Sequence, residues 1–166
     1  FLLIVWVGAT IAYSGGEQHT IVIIAGIVGG YMAMNIGAND VANNVGAAVG
    51  SRALTLMGAL IIASIFEAMG AIVAGGDVVG TISKSIVAPE DFPNSDMFIW
   101  CMLSALLAAG LWVNIATIVG APVSTTHSIV GGVVGAGIGA LGFGVVNWPM
   151  MAKIAASWVI SPVLGG

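Results

Sequence analysis

Residues 97–119 run for about 23 positions without a charged side chain, the length an α-helix needs to cross roughly 30 Å of hydrocarbon at 1.5 Å per residue. Residues 53–75 form a second such run, broken once by Glu67, and residues 20–34 a third that leads into a polar stretch. Inside lipid every backbone N–H and C=O must find its partner within the protein, so these runs are expected to be helices. Composition agrees: 59% of the 166 residues are apolar and 6% charged, against roughly 25% charged in a soluble domain. Mean hydropathy is +1.12. The expected class is an all-α, multi-pass transmembrane helical bundle, embedded in the lipid bilayer of the cell's inner or plasma membrane as a single transmembrane domain over residues 1–166.

Charge and cysteine content remove several alternatives. Seven acids against three bases give a net charge of −4, which suits neither a nucleic-acid partner nor a polybasic membrane anchor. Arg52, Lys84 and Lys153 fall in different connections, so the positive-inside rule sets no orientation. The single cysteine, Cys101, precludes an intrachain disulfide and any cysteine-rich metal site, and reads as a small buried hydrophobe.

Along the chain, residues 14–20 are expected to form a polar connection with Glu17 and His19 in water. Residues 1–13 are shorter than a spanning helix requires and lack the features of a signal peptide. The end of the sequence is still apolar, and the reading is a segment of a longer transporter-like chain. Residues 75–96 are the longest polar stretch, with 77–87 expected as a short amphipathic or re-entrant helix and the rest as loop. Trp100 fits an interfacial aromatic position.

Two polar motifs sit between these runs. Asn35-Ile36-Gly37-Ala38-Asn39-Asp40-Val41-Ala42-Asn43-Asn44 places four carboxamides and a carboxylate in one short stretch between apolar segments. A charged group near the bilayer centre costs about 2.5–3.5 kcal/mol on insertion scales, so Asp40 is a functional candidate by default. Oxygen-rich side chains suit a small hard cation, and Gly37 is expected to let the helix break here and expose carbonyls. The second motif is Pro122-Val123-Ser124-Thr125-Thr126-His127-Ser128. Proline stops one helix and Ser or Thr caps the next, so a helix is expected to begin in mid-membrane. Its unpaired N–H groups and dipole would receive an anion without a basic residue. Downstream, Gly131, Gly135 and Gly139 repeat at the spacing that lets membrane helices approach closely.

Each residue also has a plainer role. A helix cap is the plainer alternative for Asp40, outweighed by the surrounding carboxamides and the second motif; Glu67 could pair with Lys84 or snorkel to the interface, and the hydroxyls could be interhelical hydrogen bonds. His127 has no second histidine at ligand spacing and reads as a packing residue rather than a metal ligand. A hydrolase built from Asp40, His127 and Ser124 lacks a nucleophile elbow or a zinc-binding helix motif, so no enzyme is expected. A structural membrane subunit would explain the glycines but not the cost of Asp40.

The two motifs together, Gly37-Ala38-Asn39-Asp40-Val41-Ala42-Asn43 and Pro122 to Ser128, resemble the inorganic phosphate transporter (PiT) family of ion-coupled phosphate and sulfate permeases. The resemblance implies secondary transport (symport) of inorganic phosphate, with sulfate as the alternative substrate, and no cofactor beyond a coupling ion, Na+ or H+. In that family each motif occurs twice, in two halves of inverted topology with discontinuous helices. The chain therefore resembles the N-terminal half, to be completed by the second half or by a second copy in a homodimer. Carried over by position, Asn39, Asp40 and Asn43 would face the coupling ions (sodium, in a sodium-coupled carrier). Glu67 matches a family acidic position, and Ser124, Thr125, Thr126 and Ser128 would face the anion.

Overall fold

The structure is a computed structural model and describes residues 17–165. The run at residues 1–13 and the start of the first polar connection lie outside the described residues. Five α-helices follow in order: α1 (Glu17–Gly50), α2 (Leu56–Ser85), α3 (Ser95–Ile118), α4 (Thr125–Leu141) and α5 (Trp148–Gly165), with 3-10 turns at Pro89–Asp91 and Phe143–Val145. Among the described residues, three helical stretches are long and apolar enough to span a membrane: Thr20–Gly50, Leu56–Ile82 and Ser95–Ile118.

Two helices differ from expectation in the same way. The stretch at 35–44 does not break: α1 is continuous for 34 residues. Gly37 is ordinary helix, with open space where a Cβ would stand. Likewise, α2 runs without interruption to Ser85, through the segment expected as a separate short helix. Both follow from the solvent. Breaking the ladder in lipid orphans backbone groups at several kcal/mol each, whereas a side chain can find a partner on a neighbouring helix. The continuity of α2 also separates Glu67 from Lys84 by 17 residues, or about 26 Å along the axis, which precludes their pairing.

The real discontinuity lies between α3 and α4. α3 closes with paired terminal bonds, Ala121 N–H to Ala116 O (2.8 Å) and Gly120 N–H to Thr117 O (3.1 Å). This closure needs a left-handed residue, which Gly120 supplies at φ 72°. Pro122 has no N–H to continue the helix, and Ser124 caps α4 by accepting from His127 N–H (3.3 Å).

Packing concentrates on α3. Against α4 it forms the main core, with Cys101, Ala105, Val130 and Val133 buried together with Ile86, Val87, Val145 and Val146 from the flanking connections. Those connections meet in an isolated antiparallel bridge, Val87 to Val146. Against α1, α3 forms a smaller core of Met32, Ala109 and Val113. Close approach of α3 and α4 depends on Gly132, where a Cβ would lie 2.6 Å from the Ala105 carbonyl oxygen. Gly131, Gly135 and Gly139 face open space, so the expected stripe is not the one used against α3. α2 is the least covered span, with 6% of its apolar window buried.

Candidate functional site

On α1, Asn35 and Asn39 stand one turn apart on the face turned to α3, and Asn114 and Thr117 stand three apart on the face that meets them. Asn114 donates to Asn35 Oδ1 (2.8 Å), and Asn35 in turn donates to the Tyr31 carbonyl (2.8 Å). Asn39 donates to Thr117 Oγ1 (3.0 Å) and to the Ala121 carbonyl (3.2 Å), while its Oδ1 accepts from Val123 N–H (3.2 Å). Asn35 and Asn39 are both buried, and no buried side-chain polar atom among the described residues lacks a partner. Asn114 and Thr117 escaped sequence reading because they sit inside an uncharged run. Their i, i+3 spacing, matching the i, i+4 pair on α1, is the signal that marks them.

The next residue, Asp40, faces the start of α4. Its Oδ2 accepts from Thr125 Oγ1 at 2.7 Å, a short charge-assisted bond. Ser128 O–H donates to the Ser124 carbonyl (2.8 Å), and Ser128 N–H closes the first helical turn onto the same oxygen (3.1 Å). With His127 N–H taken by the Ser124 hydroxyl, the N–H groups of Thr125 and Thr126 have no protein acceptor among the described residues. These two donors carry the positive end of the α4 dipole.

Asp40, Asn43 and Asn44 line a cleft of 430 Å³ together with Pro122, Ser124, Thr125 and Thr126. Five of the residues singled out from the sequence therefore meet: Asp40, Asn43, Ser124, Thr125 and Thr126. A smaller cavity of 240 Å³ adjoins the linker, lined by Asn39, Asn43, Thr117 and residues 120–122. Ser128 instead borders a hollow between α3 and α4, with Trp112 and His127. His127 meets Trp158 edge-on, ring centroids 3.8 Å apart, consistent with a packing role. Glu67 lies on α2 outside the cleft, its side chain exposed and without a hydrogen bond or ion pair among the described residues. Arg52, Lys84 and Lys153 are all absent from the cleft lining. Within this chain, the positive potential at the cleft is that of the backbone dipoles at the start of α4.

The chain is similar along most of its length to transport proteins. It is 52% identical over 157 residues to a Helicobacter pylori (strain J99) protein named as a phosphate permease, covering 95% of this chain and 30% of that protein. A chloroplastic inorganic phosphate transporter of Arabidopsis thaliana is 49% identical over 140 residues, 84% of this chain and 24% of the transporter. Among solved structures, a sodium-dependent phosphate transporter matches with a TM-score of 0.83 and 52% identity, over 88% of this chain and 36% of that one. The chain thus spans about a third or less of the length of these relatives. Residues 36–166, which hold every residue lining the cleft, match the profile of the phosphate transporter family. With its apolar spans and its paired motifs on one cleft, the chain is a multi-pass membrane protein that belongs to the phosphate transporter family.

Proposed function

We propose that the full-length protein is an ion-coupled carrier of inorganic phosphate, and that this chain supplies one wall of its site. The observation that carries this reading is the bond between Asp40 and Thr125, which seats a carboxylate on the open N-terminus of a membrane helix. Asp40, with the amide oxygens of Asn43 and Asn44, offers hard oxygen ligands to a cation. The free N–H groups of Thr125 and Thr126, with their hydroxyls and that of Ser124, offer donors to the anion.

The arrangement makes the two ligands interdependent. An uncompensated Asp40 repels an anion in the same cleft by about 3 kcal/mol per charge at 5 Å and an effective dielectric constant of 20. It also occupies the Thr125 hydroxyl. A cation on Asp40 cancels the repulsion and competes for the carboxylate oxygen, which frees the Thr125 hydroxyl to turn to the anion. Binding of the anion is then contingent on the cation, the condition symport requires. Sodium suits these ligands, and the similar solved transporter is described as sodium-dependent. Access to both membrane faces would alternate as this wall rocks against segments contributed by the rest of the protein.

Radiolabelled phosphate uptake by the full-length protein in liposomes tests the proposal. Concentrative uptake is expected with an inward sodium gradient and not with a proton gradient alone. Absence of uptake under either gradient, in protein shown to be folded, refutes it.

A further inference from the structure

We infer that Asn39 is a positioning residue that fixes where the α4 N-terminus stands, and that it is not a ligand of the transported ions. Three parts of the α3–α4 break converge on this one amide. Thr117 belongs to the last turn of α3, Ala121 follows the left-handed Gly120, and Val123 precedes the cap of α4. Pro122 has no N–H, and Val123 N–H makes no backbone bond, so Asn39 Oδ1 is the acceptor that satisfies it.

The orientation of the amide follows from its partners. The Thr117 hydroxyl spends its proton on the Val113 carbonyl (2.8 Å), so towards Asn39 it can only accept. The Ala121 carbonyl also only accepts, and Val123 N–H only donates. The NH₂ group must therefore face Thr117 and Ala121, and the oxygen must face Val123. Both amide protons are used, and the residue is 6% exposed. Aspartate, equal in shape, would set an oxygen against two acceptors. Alanine would leave the Ala121 carbonyl and the Val123 N–H without their partner. One turn earlier, the Asn35–Asn114 bond and the fit of Tyr31 over Gly110, where a Cβ would stand 3.1 Å from the Tyr31 ring, lock α1 against α3 in register. The linker is thus anchored to the α1–α3 pair by Asn39, and the first turn of α4 is reached by its neighbour Asp40.

The test uses the full-length protein in nanodiscs. Its first readout, hydrogen exchange over residues 120–128, does not depend on the transport reading, although the second does. In Asn39→Ala and Asn39→Asp the Val123 amide is expected to exchange about tenfold faster or more. Thr117→Val should produce a smaller rise in exchange, and Thr117→Ser, which keeps the hydroxyl, should match the wild type. In uptake assays, Thr117→Val should raise the KM for phosphate while the sodium concentration for half-maximal uptake stays within about twofold. Unchanged Val123 exchange in both Asn39→Ala and Thr117→Val overturns the positioning role. A sodium requirement raised tenfold in Asn39→Ala, with phosphate KM unchanged, overturns the exclusion of Asn39 as a ligand. If the wild type carries no phosphate, the exchange readout alone decides the positioning role and the transport proposal falls separately.

Discussion

Replacing Thr125 by valine exchanges a hydroxyl for a methyl at nearly constant volume and removes the 2.7 Å bond to Asp40. A hydrogen bond to a charged partner is worth about 1.5–3 kcal/mol, or roughly 10- to 150-fold in an equilibrium constant. In the proposed cycle this bond competes with both ions, so its loss has two opposite consequences. Asp40 becomes a better cation ligand, because a bound cation no longer competes with the hydroxyl. The anion loses a donor, because Thr125 has none to give when the site is filled. Sodium binding measured without phosphate should therefore tighten in Thr125→Val by up to about tenfold, while phosphate affinity at saturating sodium weakens by about tenfold or more. Calorimetric titration of the full-length protein, sodium first and phosphate second, separates the two. Asp40→Asn and the double variant complete a cycle, in which the sodium effect of Thr125→Val should vanish once the charge at position 40 is gone. Weakening of sodium and phosphate binding by the same factor in Thr125→Val would refute the reasoning, since that pattern signals a disturbed cleft.

Other outcomes are expected from other parts of the structure. Asp40→Asn should abolish sodium-driven uptake in protein that still inserts and folds, whereas Glu67→Gln, outside the cleft, should reduce it less; uptake beside a folding assay checks both. Gly132→Ala forces a Cβ against the Ala105 carbonyl and should destabilise α3–α4 packing by about 1–3 kcal/mol, while Gly131→Ala, facing open space, should leave thermal stability unchanged. In competition with labelled phosphate, arsenate should block uptake and sulfate should not, because a carboxylate in the cleft can accept from the protonated oxygen of phosphate and meets only lone pairs on sulfate.

The helical bundle could be read from the sequence because the uncharged runs have the bilayer's own length. The start of α4 was legible for a local reason: Pro122 followed by Ser124 spells out a stop and a cap on adjacent turns. The stretch at 35–44 misled because composition reports how polar a segment is and not where its polar groups turn. Asn35 and Asn39 spend their amides across the interface on α3, and the α1 ladder has no cause to open. The glycine that meets α3 lies one position from the stripe. Gly131 and Gly132 differ by about 100° around the helix, and nothing local says which of them α3 will meet. Asn39 shows the same limit, since its partners lie in the end of α3 and the linker after it, some 80 residues away, whose course no nearby residue reveals.

The bridge between Val87 and Val146 joins two connections separated in sequence by all of α3 and α4. A second bond, Asn147 N–H to the Ile86 carbonyl (2.9 Å), lies beside it, and both valines are buried. During synthesis this contact cannot form until α3 and α4 have been made and the chain has turned back, so it closes after the contacts of α3 with α1 become possible. Until then the end of α2 and the connection before α3 have no seat, and Gly137, whose missing Cβ makes room for the Val87 side chain, has nothing to receive. Val87→Asp is accordingly expected to leave insertion of α3 intact while exposing the 86–92 connection to protease, a defect that pulse-chase proteolysis would date to the emergence of residue 146.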